Sequence, residues 1–172
     1  MLIIFGGLPG SGKTTVARAL AKRLGAVHVR VDTIEQAIRA SGDVERDIGP
    51  AGYVVAYGVA QDNLTLGRLV IADSVNPLEI TRSAWLAVAA RSPAIAVEVE
   101  VICSDKTEHR RRVETRKTDV EGLVKPSWQE VVDRAYEDWG QRPIVVDTAA
   151  KSVEEAVDGL VAKLGIDRPH SI

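Results

Sequence analysis

The sequence predicts an α/β fold in which a five-stranded parallel sheet is covered by helices on both faces. Two observations lead to this prediction. Five short apolar runs alternate with segments of helical character along the 172 residues, as expected for parallel strands buried on both sides. A glycine-rich loop directly after the first run gives the chain a strand–loop–helix beginning. No repeat or change of composition marks a boundary, so we expect one domain over residues 1–172.

The predicted strands are short apolar runs, and several of them stop at an aspartate. The first run, Met1–Phe5, is apolar throughout, which is typical of a buried strand. Later runs end at Asp32, Asp73 and Asp147. Because parallel α/β sheets bind ligands at the carboxyl ends of their strands, we expect these aspartates and the loop to share one cleft. The predicted strands cover residues 1–5, 26–31, 69–72, 94–103 and 144–146.

The segments between the strands carry the signals of helices. Val16, Leu20 and Leu24 recur every four residues after the loop, as on one helix face. Asp105, with Glu108 three residues later, resembles a capping box at the start of a basic helix. Besides this basic helix, the predicted helices cover residues 15–24, 33–40, 51–67, 79–91, 127–140 and 152–164. Residues 41–50 and 118–126 are predicted to be loops. In the helix over 51–67, the apolar positions include Val54, Val55, Val59, Leu64 and Leu66. Residues 168–172 are expected to form a frayed tail.

The loop matches G-x-x-x-x-G-K-[ST], a motif that binds nucleotide phosphates. Its glycines let the backbone curl around phosphate oxygens, and the following helix adds its positive N-terminal end. We expect Lys13 to reach the β- and γ-phosphates, Thr14 to bind Mg²⁺, and Thr15 to hold the α-phosphate. The motif therefore predicts a nucleoside triphosphate site. Its residues are Gly7, Pro9, Gly10, Ser11, Gly12, Lys13, Thr14 and Thr15.

Composition narrows the class of protein. The net charge of −2 and the pI near 5.9 argue against a general polyanion-binding surface. No apolar run approaches the ~18 residues of a membrane span, and the first residues lack the basic leader of a signal peptide. The single cysteine, Cys103, excludes an internal disulfide and fits a buried thiol in a reducing compartment. We therefore expect a cytoplasmic protein.

Two of the strand-end aspartates are candidates for the chemistry. Asp73 closes a buried strand, where a carboxylate can hold Mg²⁺ or its water shell, although a turn cap is an alternative. Asp32 can face the γ-phosphate across the cleft and accept a proton from an incoming hydroxyl. Asp32 can also be the N-cap of a helix that has Glu35 at its third position, and one residue can do both.

A basic segment, residues 109–117, supplies the third candidate feature. Arg112 and Arg116 are four residues apart and share a helix face, so they can converge on one anionic ligand. A solvated charged face is the alternative. Trp128, Tyr136 and Trp139 follow, and core packing is favoured for them over an acceptor-pocket wall.

These motifs resemble a group of small P-loop kinases that includes chloramphenicol phosphotransferase, zeta-toxin-like kinases and the kinase domain of phage polynucleotide kinase. Shikimate, gluconate and adenylylsulfate kinases are more distant relatives. The resemblance covers most of the chain, although only the loop motif is highly specific. It implies the three-layer P-loop NTPase sandwich, with strand order 2-3-1-4-5 and a helical lid over about residues 105–126.

The resemblance also implies roles for individual residues. ATP would be the donor, although GTP stays open, and Asp32 would be the general base on an acceptor hydroxyl. Lys13 and Arg116 would act on the transferring phosphates, with Arg112 near the adenine. Thr148 would lie in the adenine-side loop. Relatives often touch the acceptor at positions that correspond here to residues 73–77 and Arg82.

Three functions remain open at this point. The first is a kinase for a small hydroxyl-bearing molecule, acting as a monomer or homodimer. The second is a regulatory NTPase, but the chain lacks the N-K-x-D guanine motif, and its D-x-x-G at residues 119–122 lies in the lid region. The third is a kinase for a nucleic-acid end or another macromolecule. With only 4% aromatic residues, stacking platforms for nucleic acid are not expected.

Overall fold

The computed structural model describes residues 1–42, 48–117, 120, 122, 124–140 and 143–166. Its strands are β1 (Leu2–Gly6), β2 (Val27–Arg30), β3 (Val70–Asp73), β4 (Ala96–Ile102) and β5 (Ile144–Asp147). Its helices are α1 (Lys13–Leu24), α2 (Val31–Ala40), α3 (Ala51–Thr65), α4 (Glu79–Arg91), α5 (Lys106–Thr115), α6 (Trp128–Val132) and α7 (Val153–Leu164).

The strands form one parallel sheet in the order β2-β3-β1-β4-β5, as predicted. The register places Asp73 opposite Phe5 on β1 and opposite Arg30 on β2. On the other side of the sheet Asp147 pairs with Ile102 at the end of β4. The carboxyl ends of the strands and the glycine-rich loop therefore meet at one edge.

Two apolar clusters, one on each face of the sheet, form the core. Alternate residues of β1 point to opposite faces, so Ile3 and Phe5 join one cluster while Leu2 and Ile4 join the other. Helices α1 and α7 cover the first face, and α3 and α4 cover the second, where Trp85 is fully buried. The central strand is apolar throughout because both of its faces are covered.

Helix α3 packs through small residues rather than through its valines. Ala56 and Ala60 are fully buried, whereas Val54, Val55 and Val59 are 61%, 44% and 41% exposed, in that order. Small side chains let a helix backbone approach its neighbours closely, so the buried face is the one with the alanines. The apolar positions of the sequence therefore predicted the helix but not the side that it buries.

Helix α6 is shorter than predicted, since residues 133–140 are not helical. Their polar groups are used in tertiary contacts instead. The Tyr136 hydroxyl donates to Glu100, the Glu137 amide donates to the Pro77 carbonyl, and Arg82 donates to the carbonyls of Glu137 and Asp138. Long-range partners outside the segment thus replace the hydrogen bonds of a helix.

Some predicted features lie outside the described residues. These are the tail over 168–172, residues 43–47 of the loop over 41–50, and residues 118, 119, 121 and 123 of the lid loop, which include most of the D-x-x-G segment. In the part of the chain that the structure describes, no helix has both the length and the apolar character needed to cross a membrane.

Candidate active site

The glycine-rich loop joins β1 to α1 in a conformation that requires glycine. Gly7 has φ 144° and Gly10 has φ 84°, values that residues with a side chain rarely adopt. A Cβ atom on Gly7 would also collide with the carbonyl oxygen of Val101, and one on Gly10 with the side chain of Val113. Helix α1 then starts with neither a side-chain cap nor an acidic residue in its first turn. Its first N–H groups are thus available to an anion.

Lys13, Thr14 and Asp73 lie together beneath the loop, joined by a histidine that the sequence did not reveal. The Thr14 hydroxyl donates to Asp73 Oδ1 at 3.3 Å, and His28 Nε2 lies 3.1 Å from Asp73 Oδ2. Asp73 is 1% exposed and Lys13 is 6% exposed. Burial alone would raise the pKa of Asp73, but the His28 hydrogen bond, the charge of Lys13 and the Thr14 hydrogen bond together lower it. Asp73 is therefore a buried carboxylate held in its ionised form.

This arrangement fits a magnesium ion. A hydroxyl and an ionised carboxylate are oxygen donors of the kind that Mg²⁺ prefers, with phosphates and waters supplying the remaining positions. Within the described ranges no group of three or more His, Cys, Asp or Glu side chains could hold a metal by itself. A cation bound by Thr14 and Asp73 would thus depend on the phosphates of a nucleotide.

Two cavities meet at this edge of the sheet. The smaller one, which we call the loop cavity, has a volume of about 410 Å³ and runs along the phosphate loop and α5. The larger one, which we call the large cavity, has about 1070 Å³ and lies between α2, the start of α3 and the segment after β3. Lys13, Asp32 and Arg116 line both of them. The three residues predicted as catalytic therefore lie where the two cavities join.

Asp32 belongs to the first turn of α2 and does not end β2 as predicted. Strand β2 stops at Arg30, which is the N-cap residue of α2 and makes no side-chain cap. The predicted N-cap role of Asp32 is therefore wrong. Its Oδ2 lies 3.7 Å from Arg30 Nη2, and its side chain is 29% exposed. Because α2 starts directly at the sheet edge, the carboxylate still points into the cleft.

Arg116 faces Asp32 from the end of α5. Burial lowers the pKa of the half-buried Arg116 guanidinium, and the charge of Asp32 partly opposes that shift. Its Nε atom is buried without a hydrogen-bond partner among the described residues. An arginine stays protonated in such a position, so its charge is available to an anion in the cleft.

Helix α5 has one face that lines a cavity and another that is exposed to solvent. Arg112 and Arg116 line the loop cavity together, as their spacing predicts. Arg112 also donates to the hydroxyl of Thr148 at 2.8 Å and to its carbonyl at 3.0 Å. Arg110 and Arg111 are exposed and pair with Glu114 and Glu108 on the same helix. The basic segment thus places Arg112 and Arg116 in a cavity lining and leaves Arg110 and Arg111 exposed.

The other predicted loop residues divide into those that face a cavity and those that support the loop. Gly10, Gly12, Thr14 and Thr15 line the loop cavity, and Pro9 lines the large one. Ser11 is 1% exposed. Thr148 lines neither cavity, and its hydroxyl donates to the Ser11 carbonyl at 2.7 Å. Thr148 thus lies behind the loop.

His109 connects α5 to the phosphate loop and was not predicted. Its Nε2 lies 2.8 Å from the Pro9 carbonyl in a buried contact, so the ring nitrogen is the donor. Its ring packs edge-on against Trp128. Nothing in the sequence near residues 28 or 109 indicates these contacts, because the partners of the two histidines lie 45 and 100 positions away.

Of the positions expected to touch an acceptor, Ser74, Val75 and Pro77 line the large cavity. Arg82 does not, since it is 5% exposed and donates to the carbonyls of Asn76, Glu137 and Asp138. Its guanidinium also lies 4.8 Å from the ring centre of Trp139. The expectation for Arg82 is therefore not met. Glu35 and Tyr53 line this cavity instead, and no local signal had indicated them.

The phosphate loop, the strand order and the position of Asp73 define the fold of the P-loop kinases. Residues 2–137 match the AAA domain family AAA_33, and the chain belongs to that family. A relative from Thermococcus onnurineus (strain NA1), named "Putative adenylate kinase", is 28% identical over 168 residues, which cover 95% of this chain and 84% of the relative.

Solved structures share the fold across nearly the whole chain. A structure described as a "putative kinase" from Chloroflexus aurantiacus has a TM-score of 0.74 at 21% identity, covering 95% of each chain. The adenylylsulfate (APS) kinase CysC of Mycobacterium tuberculosis, in complex with AMPPNP and APS, has a TM-score of 0.72 at 19% identity, covering 96% of this chain and 97% of that one.

Proposed function

We propose that this protein is a kinase that transfers the γ-phosphoryl group of Mg-ATP to a hydroxyl group of a small molecule. The observation that carries the proposal is the junction of the two cavities at Lys13, Asp32 and Arg116. A transferring phosphoryl group must pass from a nucleotide site to an acceptor site. Residues that line both sites are the ones that can act on it during transfer.

Each of these residues supplies a different part of the chemistry. Lys13 and Arg116 bring positive charge to the oxygens of the transferring group, where phosphoryl transfer gains most of its rate. Asp32 orients the acceptor hydroxyl and accepts its proton as the new P–O bond forms. Thr14 and Asp73 would hold Mg²⁺, which neutralises charge on the β- and γ-phosphates when bound.

The names of the similar proteins support this proposal over a regulatory NTPase. They include an adenylate kinase by name and an adenylylsulfate kinase in complex with a nucleotide analogue and its acceptor. The large cavity supports it independently, because a nucleotide switch needs no second cavity of about 1070 Å³ beside its phosphate loop.

The proposal is tested by incubating the purified full-length chain with Mg-ATP and a library of hydroxyl-bearing compounds. We expect ADP release to rise with at least one compound and mass spectrometry to detect that compound with one added phosphoryl group. ATP hydrolysis that no compound accelerates, together with the absence of any phosphorylated product, would contradict the proposal and favour the regulatory NTPase.

A further inference from the structure

Strand β2 directs two polar side chains to the face of the sheet that α1 covers. Its apolar residues, Val27 and Val29, pack in the cluster on the opposite face. Because successive residues of a strand point to opposite faces, His28 and Arg30 lie on the α1 side. A histidine at this position calls for a reason, because its register partner on β3, Ile71, belongs to the apolar core.

The partner of His28 is the aspartate at the end of β3. Asp73 is two residues beyond Ile71 and on the same face, so the His28 side chain reaches it diagonally across the two strands. His28 Nε2 lies 3.1 Å from Asp73 Oδ2. Because an ionised carboxylate can only accept hydrogen bonds, Nε2 carries the hydrogen and donates it. This donor thus holds one oxygen of a carboxylate that is 1% exposed.

The other oxygen of Asp73 is turned toward the phosphate loop. Thr14, in the first turn of α1, donates to Asp73 Oδ1 at 3.3 Å. Asp73 and Thr14 are the residues that the proposed function assigns to Mg²⁺, and they meet through this oxygen. Hydrogen bonds to a metal-binding carboxylate orient it, and their loss typically costs about 10–100-fold in metal affinity or activity.

The attachment of β2 to the sheet has other sources. Four residue pairs, from Val27 with Val70 to Arg30 with Asp73, join β2 to β3 through the backbone. Val29 adds a buried side chain to the core. The backbone ladder and this packing hold the strand in place, whereas the orientation of the Asp73 carboxylate depends on its side-chain partners.

We propose that His28 is a positioning residue of the magnesium site, which holds Oδ2 of Asp73 so that Oδ1 and the Thr14 hydroxyl stay turned toward the cation. The proposal rests on the magnesium site of the proposed function and adds one residue to it. His28 acts through Asp73 alone, in the way that hydrogen-bond partners of metal ligands set metal affinity.

Two amide variants of His28 form a matched pair. Glutamine brings its amide nitrogen close to the position of Nε2, whereas asparagine is one methylene shorter and does not reach Asp73. His28 lines a cavity of about 620 Å³ on the outer side of β2, so both side chains fit without overpacking the core. Tyr57→Phe is the control, because it removes a hydrogen bond to the Thr81 carbonyl from α3, away from both cavities of the site.

The measurement is the affinity of the purified full-length chain for ADP, by calorimetry in EDTA and at increasing Mg²⁺ concentrations. In His28→Asn, the Mg²⁺ concentration that gives half of the maximal gain in ADP affinity should rise by about tenfold or more. His28→Gln should recover most of this loss, and Tyr57→Phe should resemble the native protein. In EDTA all three variants should bind ADP with native affinity, because the phosphate loop is unchanged.

The contrary results are distinct. A native Mg²⁺ requirement in His28→Asn would overturn the proposal. So would a loss of ADP affinity that is equal in EDTA and in Mg²⁺, because that loss indicates a purely structural role. If the ADP affinity of the native protein does not respond to Mg²⁺, both this proposal and the magnesium site are wrong. Failure of the acceptor screen alone would remove the phosphotransferase proposal and leave the role of His28 intact.

Discussion

Asp32 combines two features that a general base requires. It lines both cavities, and it lies opposite Arg116, which can stabilise the charge that develops during transfer. At 29% side-chain exposure it is accessible to an acceptor hydroxyl. No other carboxylate of the described residues lines both cavities, so Asp32 is the residue that we propose as the proton acceptor.

Asp32→Asn is expected to lower acceptor phosphorylation by about 10²-fold or more, the scale of general-base catalysis. The substitution keeps the shape of the side chain and removes its charge, so ATP affinity and the melting temperature should change little. Calorimetric ATP titration beside a turnover assay separates the effects. Lost ATP binding would indicate a metal-binding or structural role for Asp32, and full turnover would remove the base role.

The ionised state of Asp73 gives a prediction about pH. Its pKa is lowered from 3.8 despite its burial, so the ionised form stabilises the folded protein. That stabilisation is complete above the ordinary pKa and is lost as the pH falls through the lower pKa of the folded state. Asp73→Asn, which mimics the protonated form, should melt below the native protein at neutral pH. The difference should shrink as the pH falls below 3.8. A difference in melting temperature that is independent of pH would contradict this.

Helix α5 is attached to the phosphate loop along its body and places an arginine in the cleft at its C-terminal end. His109 and Arg112 attach its body to the phosphate loop and to Thr148, while Arg116 extends from its end into the cleft. A helix fixed at the loop can hold an arginine beside the transferring phosphoryl group without rearranging during the reaction.

Arg116→Ala should therefore lower turnover far more than it weakens ADP affinity. Arginines that act on transition-state charge contribute about 10³–10⁵ in rate in related phosphoryl transfers. Arg111→Ala is the control, because Arg111 lies on the exposed face of the same helix and pairs with Glu108. Equal turnover of the two variants would make Arg116 part of the solvated face.

His109→Ala should destabilise the protein by about 1–3 kcal/mol, because it leaves the buried Pro9 carbonyl without its donor. It should also weaken ATP binding, since that carbonyl belongs to the phosphate loop. His109→Gln keeps a donor and should recover part of both losses. Denaturant unfolding and ATP titration measure them. Arg110→Ala, on the exposed face, serves as the reference, and a loss no larger than the reference loss would contradict the role of His109.

Across the whole molecule, the phosphate loop extends from β1, a strand that gives its alternate side chains to both apolar clusters. The loop follows the central strand β1 and leads directly into α1. Helix α1 packs against one face of the sheet and against α7. A ligand that binds only the folded loop must therefore stabilise the entire fold.

Mg-ATP at about 100 times its Kd should stabilise the native protein by about 2.7 kcal/mol, or roughly 5–10 °C in Tm for a chain of this size. Lys13→Ala should abolish phosphotransfer and this shift. Its nucleotide-free Tm reports whether the fold survives the loss of a buried lysine. A native-like shift in Lys13→Ala would remove the assignment of Lys13 to the phosphates.

The sequence by itself determined the features that depend on neighbouring residues. Glycine spacing specified the phosphate loop, apolar runs specified five strands, and the strand-end position specified Asp73. Together with the resemblance they also gave the strand order that the structure confirms. Local patterns suffice here because strand burial and loop conformation are set by residues adjacent in the chain.

Only the tertiary structure decided which side chains meet. It placed Asp32 in a helix instead of at a strand end, bound Arg82 to backbone carbonyls, and brought His28 to Asp73 and His109 to Pro9. It also selected the alanine face of α3 over its valines. The contacts of His28, Arg82 and His109 join partners 45 to 100 residues away, and hydrogen bonding to a distant group leaves no periodic signal in the sequence.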